Sequence, residues 1–215
     1  MIESASGIVL RTRPLTETSL IVHWLTADLG RIATVAKGAR RPKSPFAGKL
    51  DLFYLADFSF SRSRSSELHN LREARLHETH SAIREDLHKL QQAAYAAAMV
   101  EQATETETPL PEIFALIRTF LGGLCRHSPQ PQTIFALELK LLRELGLEPD
   151  PAETHLTPGT VKLMRALADN DWDHGIRLKF TAEQNRELRQ FLHGFLITHL
   201  GRLPRGRAAA LGGPV

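Results

Sequence analysis

The hydrophobic pattern changes period part-way along the chain, and that change limits the fold more than any other feature. Up to about residue 80, apolar residues come in short runs rich in β-branched and aromatic side chains. From Ser81 they recur at helical spacing. The first pattern buries strands and the second buries one face of each of several helices. The expected fold class is therefore α+β and multidomain: a five-stranded β-barrel over residues 1–80, then an all-α domain over residues 81–215.

Within the first part, residues 8–13, 19–25, 31–37, 52–60 and 67–74 read as strands. Asp28-Leu29-Gly30 supplies a hairpin turn in which Gly30 can take a positive φ. Residues 62–66 (RSRSS) form a polar turn, and Pro42 to Ala47 makes the third-to-fourth connection a long loop. Five short strands suit a small closed barrel, because closure leaves no sheet edge open.

In the second part, Ser81 is placed to cap a helix burying Ile83, Leu87, Leu90 and Ala94. A second helix starts at Pro111 and carries Ile113, Phe114, Ile117 and Leu121, with Gly122-Gly123 weakening its end. A third covers residues 132–145 and buries Phe135, Leu139 and Leu142. Residues 147–158 hold three prolines and read as loop. Thr157 and Pro158 open a fourth helix burying Val161, Met164 and Leu167. The last begins at Thr181, where Gln184 completes a capping box, and buries Leu188, Phe191 or Leu192, Phe195 and Leu200.

Composition removes several classes of function. No apolar run approaches the ~18 residues of a membrane span, and the first residues lack the basic start and apolar core of a signal peptide. The single cysteine, Cys125, excludes a disulfide framework and a cysteine-rich zinc site. A cytoplasmic protein without membrane contact is expected. The ten histidines invite metal readings, yet His69, His77 and His80 lack the carboxylate spacing of a metal motif and read as surface residues. Cys125 has Arg126 and His127 beside it but no second partner. No phosphate-cradling glycine loop occurs. No catalytic constellation is present, so the expectation is a non-enzyme without metal or cofactor.

The charge distribution points elsewhere. Residues 1–80 carry 12 Lys/Arg against 8 Asp/Glu, whereas residues 81–215 carry 15 against 16. The excess gathers in residues 31–49, RIATVAKGARRPKSPFAGK, which hold Arg31, Lys37, Arg40, Arg41, Lys43 and Lys49 and no acid. A cationic loop at the end of a barrel strand is suited to a polyanion. Single-strand binding needs cations along the phosphates and aromatics under the bases. Arg62 and Arg64 form a second cluster, Arg11 and Arg13 can join, and Phe46 is expected to stand exposed within the basic loop. Neutralising ~5 phosphates would give a log–log salt slope of roughly −3.5 on single strands.

Six stretches carry a family resemblance. Glu17-Thr18-Ser19, then Thr26-Ala27-Asp28-Leu29-Gly30-Arg31, then Val35-Ala36-Lys37-Gly38-Ala39-Arg40-Arg41 resemble the N-terminal signature of RecO, the bacterial recombination mediators. Residues 87–95 with Glu101, residues 135–146 (FALELKLLRELG), and Leu200-Gly201-Arg202 with Leu203-Pro204-Arg205 resemble segments of its helical half. The resemblance implies an N-terminal OB-fold and a C-terminal helical domain. It also implies binding of single- and double-stranded DNA, annealing of complementary strands, and action with RecR to load RecA onto DNA coated with single-strand-binding protein, whose acidic C-terminal tail is also recognised. Carried over, the VAKGARR match makes Lys37, Arg40 and Arg41 the expected DNA contacts, with Lys43 beside them.

Many RecO proteins carry a four-cysteine zinc module after the third helix. Residues 147–160 here contain no cysteine, so no zinc is expected. Lys140 and Arg143, among Leu139, Leu141 and Leu142, are candidates for holding the acidic tail, against the simpler reading of two solvated cations on an amphipathic helix. Arg202, Arg205 and Arg207 either add to DNA binding or belong to a disordered end. Two other functions fit the residues: a helical protein-interaction adaptor with incidental DNA contact, and an RNA-binding OB-fold protein.

Overall fold

Five strands close into a barrel: β1 (Ile2–Pro14), β2 (Leu20–Thr26), β3 (Arg31–Ala36), β4 (Leu55–Ser61) and β5 (Leu68–Glu78), in the order β1-β2-β3-β5-β4. Neighbours are antiparallel except β3 and β5, which run parallel from Ala33↔Leu68 to Val35↔Asn70. This is the arrangement of an OB-fold. These coordinates form a computed structural model that describes residues 2–213.

β1 starts six residues before the expected strand. Its first half pairs with β4, from Ile2↔Ser61 to Ile8↔Leu55, and its second half pairs with β2 as far as Pro14↔Leu20. Ser4 and Ser6 face outward and carry no apolar signal, so periodicity alone passes over this half. Inside the barrel Trp24 stacks on Phe58, with centroids 4.1 Å apart, and donates its indole N–H to Thr34 Oγ1 at 2.8 Å. Val9, Val22, Phe60 and Leu71 complete the core.

The chain divides into two compact units: residues up to Ser81 with Thr104–Arg118, and Ala82–Ala103 with the residues from Thr119 onward. The first unit therefore takes a segment from beyond the barrel sequence. Thr106 bridges Arg31 in parallel, Glu107 N donates to Arg31 O at 2.9 Å, and Leu110 N donates to Ala27 O at 2.9 Å. That close approach requires Gly30, whose φ is +64 and where an added Cβ would lie 1.8 Å from Thr108 O.

The helices are α1 (Leu87–Ala103), α2 (Pro111–Arg126), α3 (Pro131–Glu144), α4 (Pro158–Asp169), α5 (Trp172–Gly175), α6 (Ala182–Leu200) and α7 (Arg207–Ala210). α2 runs through Gly122-Gly123 to Arg126. Ser81–Ile83 is a separate 3-10 turn, and α1 begins only at Leu87, which is exposed. Its buried face is Gln92, Tyr95, Ala96, Met99 and Val100, not Leu87 and Ala94. The rotation follows from polar groups finding partners inside: Gln92 Nε2 donates to Gln130 O and the Tyr95 hydroxyl to Glu138. The Thr181–Gln184 capping box is present on α6. The helix buries Leu188, Leu192 and Leu196, while Phe191 and Phe195 are half-buried against each other.

Candidate nucleic-acid interface

The loop from β3 to β4 is built from consecutive tight turns. Arg41 N donates to Gly38 O, Ser44 N to Arg41 O, Ala47 N to Ser44 O and Lys49 N to Phe46 O, all at 3.0–3.1 Å. Gly38 and Gly48, both at φ +70, allow the reversals. Arg40 fastens the loop to the β1–β2 connection: its backbone N–H donates to Thr18 O at 3.0 Å and its guanidinium to Thr16 O at 3.1 Å.

Phe46 corrects one expectation. It is not an exposed stacking platform but part of the barrel core, 6 % exposed, packed with Trp24, Phe58 and Ala74. Transfer of an aromatic ring from water outweighs the strain of a short loop, and here the ring anchors the loop. With Phe46 turned in, Lys37, Arg40, Arg41 and Lys43 turn out and are exposed. Among the described residues no carboxylate pairs with any of them.

The end of β1 lies beside this loop through the register Pro14↔Leu20↔Ala36, and its Arg11 and Arg13 are exposed. Between them and Arg31, His23 is half-buried. Burial first, then the charges of Arg11, Arg13 and Arg31, push its imidazole down to about 4. At neutral pH it is an uncharged filler beneath a cationic rim.

The remaining cations are elsewhere. Arg62 binds Glu3, at the start of β1, through two hydrogen bonds of 2.8 and 3.0 Å, and reaches Glu107 at 3.2 Å. Arg31 donates to Thr104 Oγ1 at 2.8 Å. Both residues hold the returning segment and the first strand, and their charges are already engaged. Arg64 is exposed beside them. Arg40 meets the chain just past one end of β1 and Arg62 meets the other end, so the two basic clusters do not form one patch along the strand. Lys49 is half-buried at the foot of the loop. Two cations not among the expected contacts, Arg72 and Arg75, are also exposed on β5; three residues apart, they fall on opposite faces of a regular strand, so the alternation in NLREARL places only Arg72 outward beside the buried Leu71.

Lys140 and Arg143 also differ from the expected free cations. Lys140 Nζ donates to Ala168 O and Asn170 O at 2.9 and 2.7 Å, and Arg143 to Ala168 O, Glu148 and Asp169. They satisfy the open carbonyls at the end of α4. Burial, then Arg143, lowers the Lys140 ammonium, while Glu148 and Asp169 raise the Arg143 guanidinium.

The family models fit this architecture. Residues 1–80 match the model described as recombination protein O N terminal, and residues 84–153 and 148–208 match recombination protein O C terminal. The chain belongs to the RecO family. It is similar to the DNA repair protein RecO of Rhodopirellula baltica, 36% identical over 143 residues, which is 66% of this chain and 53% of that protein. It is 27% identical to DNA repair protein RecO of Anaeromyxobacter dehalogenans over 231 residues, covering 92% of this chain and 91% of that one. With the Bacillus subtilis protein of the same name the identity is 33% over 150 residues, covering 70% and 58%. Two of these three alignments thus span little more than half of the relative.

The RecO-like helical half lacks cysteine between residues 147 and 160, and its loop is closed by other means. Leu147 N donates to Leu142 O at 2.8 Å, Ala152 N to Asp150 Oδ1 at 2.8 Å, and Arg143 to Glu148 at 2.6 Å. Among the described residues no group of three or more His, Cys, Asp or Glu side chains is arranged to hold a metal ion. None of their helices is long and apolar enough to cross a membrane.

Proposed function

We propose that this RecO-family chain is a non-catalytic recombination mediator of the cytoplasm that binds single- and double-stranded DNA and anneals complementary strands. In this reading it acts with RecR to load RecA onto DNA coated with single-strand-binding protein. One observation carries the DNA-binding part: Lys37, Arg40, Arg41 and Lys43 project from an anchored loop and have no carboxylate partner among the described residues. Such cations displace counterions from phosphates and bind with little sequence preference. Annealing follows from the same charge, since a basic surface screens two strands from each other and raises their local concentration.

The acidic tail of the coating protein belongs to this proposal as a partner. A tail reaching Lys140 and Arg143 must compete with the carbonyls of α4 and with Glu148 and Asp169. The test is annealing of complementary oligonucleotides coated with single-strand-binding protein, with no nucleotide added. Faster annealing than in the absence of the chain supports the mediator. No annealing, together with tight binding of an acidic peptide, supports the adaptor instead. Stronger competition by RNA than by single-stranded DNA of equal length supports the RNA-binding reading.

A further inference from the structure

We infer that the barrel carries a second contact for DNA, a cleft that takes one unstacked nucleotide of a single strand; this rests on the DNA-binding reading above. The cleft lies between the β3–β4 loop and strands β1, β4 and β5 and encloses about 350 Å³. That is near the low end of the roughly 300–1,000 Å³ of small-ligand sites. It has room for one nucleotide-sized group and none for a duplex.

Its lining has the chemistry of a nucleotide rather than of a bare anion. The apolar part is Phe46, Phe58 and Ala74, all buried, with the exposed ring of Pro45 above them. The cations are Lys49, Arg72 and Arg75. Two acids, Asp57 and Glu73, line the same space. Carboxylates oppose a phosphate cluster but accept hydrogen bonds from base amino groups, while the apolar surface covers a base and the guanidinium groups meet its phosphates.

Local structure explains why these groups converge. The pairing of β4 with β5 slips between Ser59↔Glu73 and Phe60↔Leu71, leaving Arg72 without an opposite residue. Such a bulge re-aims side chains, and here Arg72 and Glu73 are both exposed where strict alternation would bury one. Arg72 Nε is steadied by Ser61 Oγ at 2.9 Å. Asp57 is held by His77 at 2.6 Å, which keeps its carboxyl below the usual range and ionised.

A base inside a duplex is stacked and paired and cannot enter such a cleft without being extruded, which costs free energy. The cleft thus favours single strands, whereas the Lys37–Lys43 rim meets phosphates of either form. The experiment compares the intact chain with an Arg72→Ala/Arg75→Ala variant by fluorescence anisotropy, on a short mixed-sequence oligonucleotide and on its duplex. Single-strand affinity is expected to fall about tenfold and its log–log salt slope to shrink by roughly 1.4, with duplex affinity changed by less than about twofold. A 2-aminopurine placed in the strand is expected to brighten on binding as it leaves its neighbours, and to lose that brightening in the variant. Unchanged single-strand affinity, or an equal loss on both forms, overturns the cleft while leaving the basic loop in place. If the intact chain binds neither form, the DNA-binding reading fails and the cleft with it.

Discussion

Arg207 Nε lies 2.6 Å from Glu138 Oε1 and its Nη2 lies 2.9 Å from Oε2, with both side chains buried. The Tyr95 hydroxyl donates to the same Oε1 at 2.6 Å. Burial, then the charge of Glu138, pushes the Tyr95 phenol up, so it stays a donor. Burial pulls the Arg207 guanidinium down, but its bonds to Glu138 outweigh this and raise it. The segment after α6 is therefore an ordered part of the helical unit. Gln102 reaches Arg202 O, Arg189 reaches Leu211 O, and Arg207 closes the group.

Removing one partner of this pair leaves a buried charge unmatched. Arg207→Met is expected to cost about 3–5 kcal/mol of stability. Combining it with Glu138→Leu is expected to restore much of that loss. Urea unfolding of the single and double variants measures both.

Phe46 is expected to matter for stability and not for base stacking on an open loop. Phe46→Ala should destabilise the barrel by about 3–5 kcal/mol through the cavity it leaves. Phe46→Leu should cost less. Thermal unfolding gives the comparison, and the salt slope of DNA binding is expected to stay unchanged in Phe46→Leu because no charge is removed.

His23 makes stability pH-dependent. The unfolded imidazole takes its proton near 6.5 and the folded one only at about 4. Between those values the unfolded state binds more protons, so stability falls as the pH drops through this window and is fully kept above it. His23→Gln is expected to flatten the change in melting temperature between about pH 7 and about pH 4.5.

Gly30→Ala is expected to destabilise by more than about 1 kcal/mol, because the position needs a positive φ and the added methyl meets Thr108 backbone. Hydrogen exchange should show faster loss of protection at Glu107 N–H, which bonds to Arg31 O.

Much of this was legible in the residues. Alternation and turn chemistry identified five strands, Gly30 at its hairpin and Thr181 as a cap, because those are local signals. Three features depend on distant partners and left no local trace. Thr106 and Leu110 return to the barrel through backbone bonds that carry no side-chain signature. Phe46 sits among prolines and cations, so its loop looks exposed until the barrel core it packs into is in place. Gln92 turns inward where the carbonyls of Gln130 and Ala210 accept from it, and Tyr95 where Glu138 does. Of the eleven residues from residue 11 to residue 64 expected at the interface, Lys37, Arg40, Arg41 and Lys43 form the exposed rim. Arg31 and Arg62 serve the barrel's own assembly, which composition could not reveal because it counts charges without their partners.

The most direct measurement is the salt dependence of single-strand binding by an Arg40→Ala/Arg41→Ala variant. Both side chains are exposed, and only Arg40 bonds to a neighbouring carbonyl, so the fold should survive. The expected result is weaker binding at every salt concentration and a log–log slope smaller by roughly 1.4 for the two lost phosphate contacts. An unchanged affinity and slope would contradict the assignment of this loop as the DNA grip.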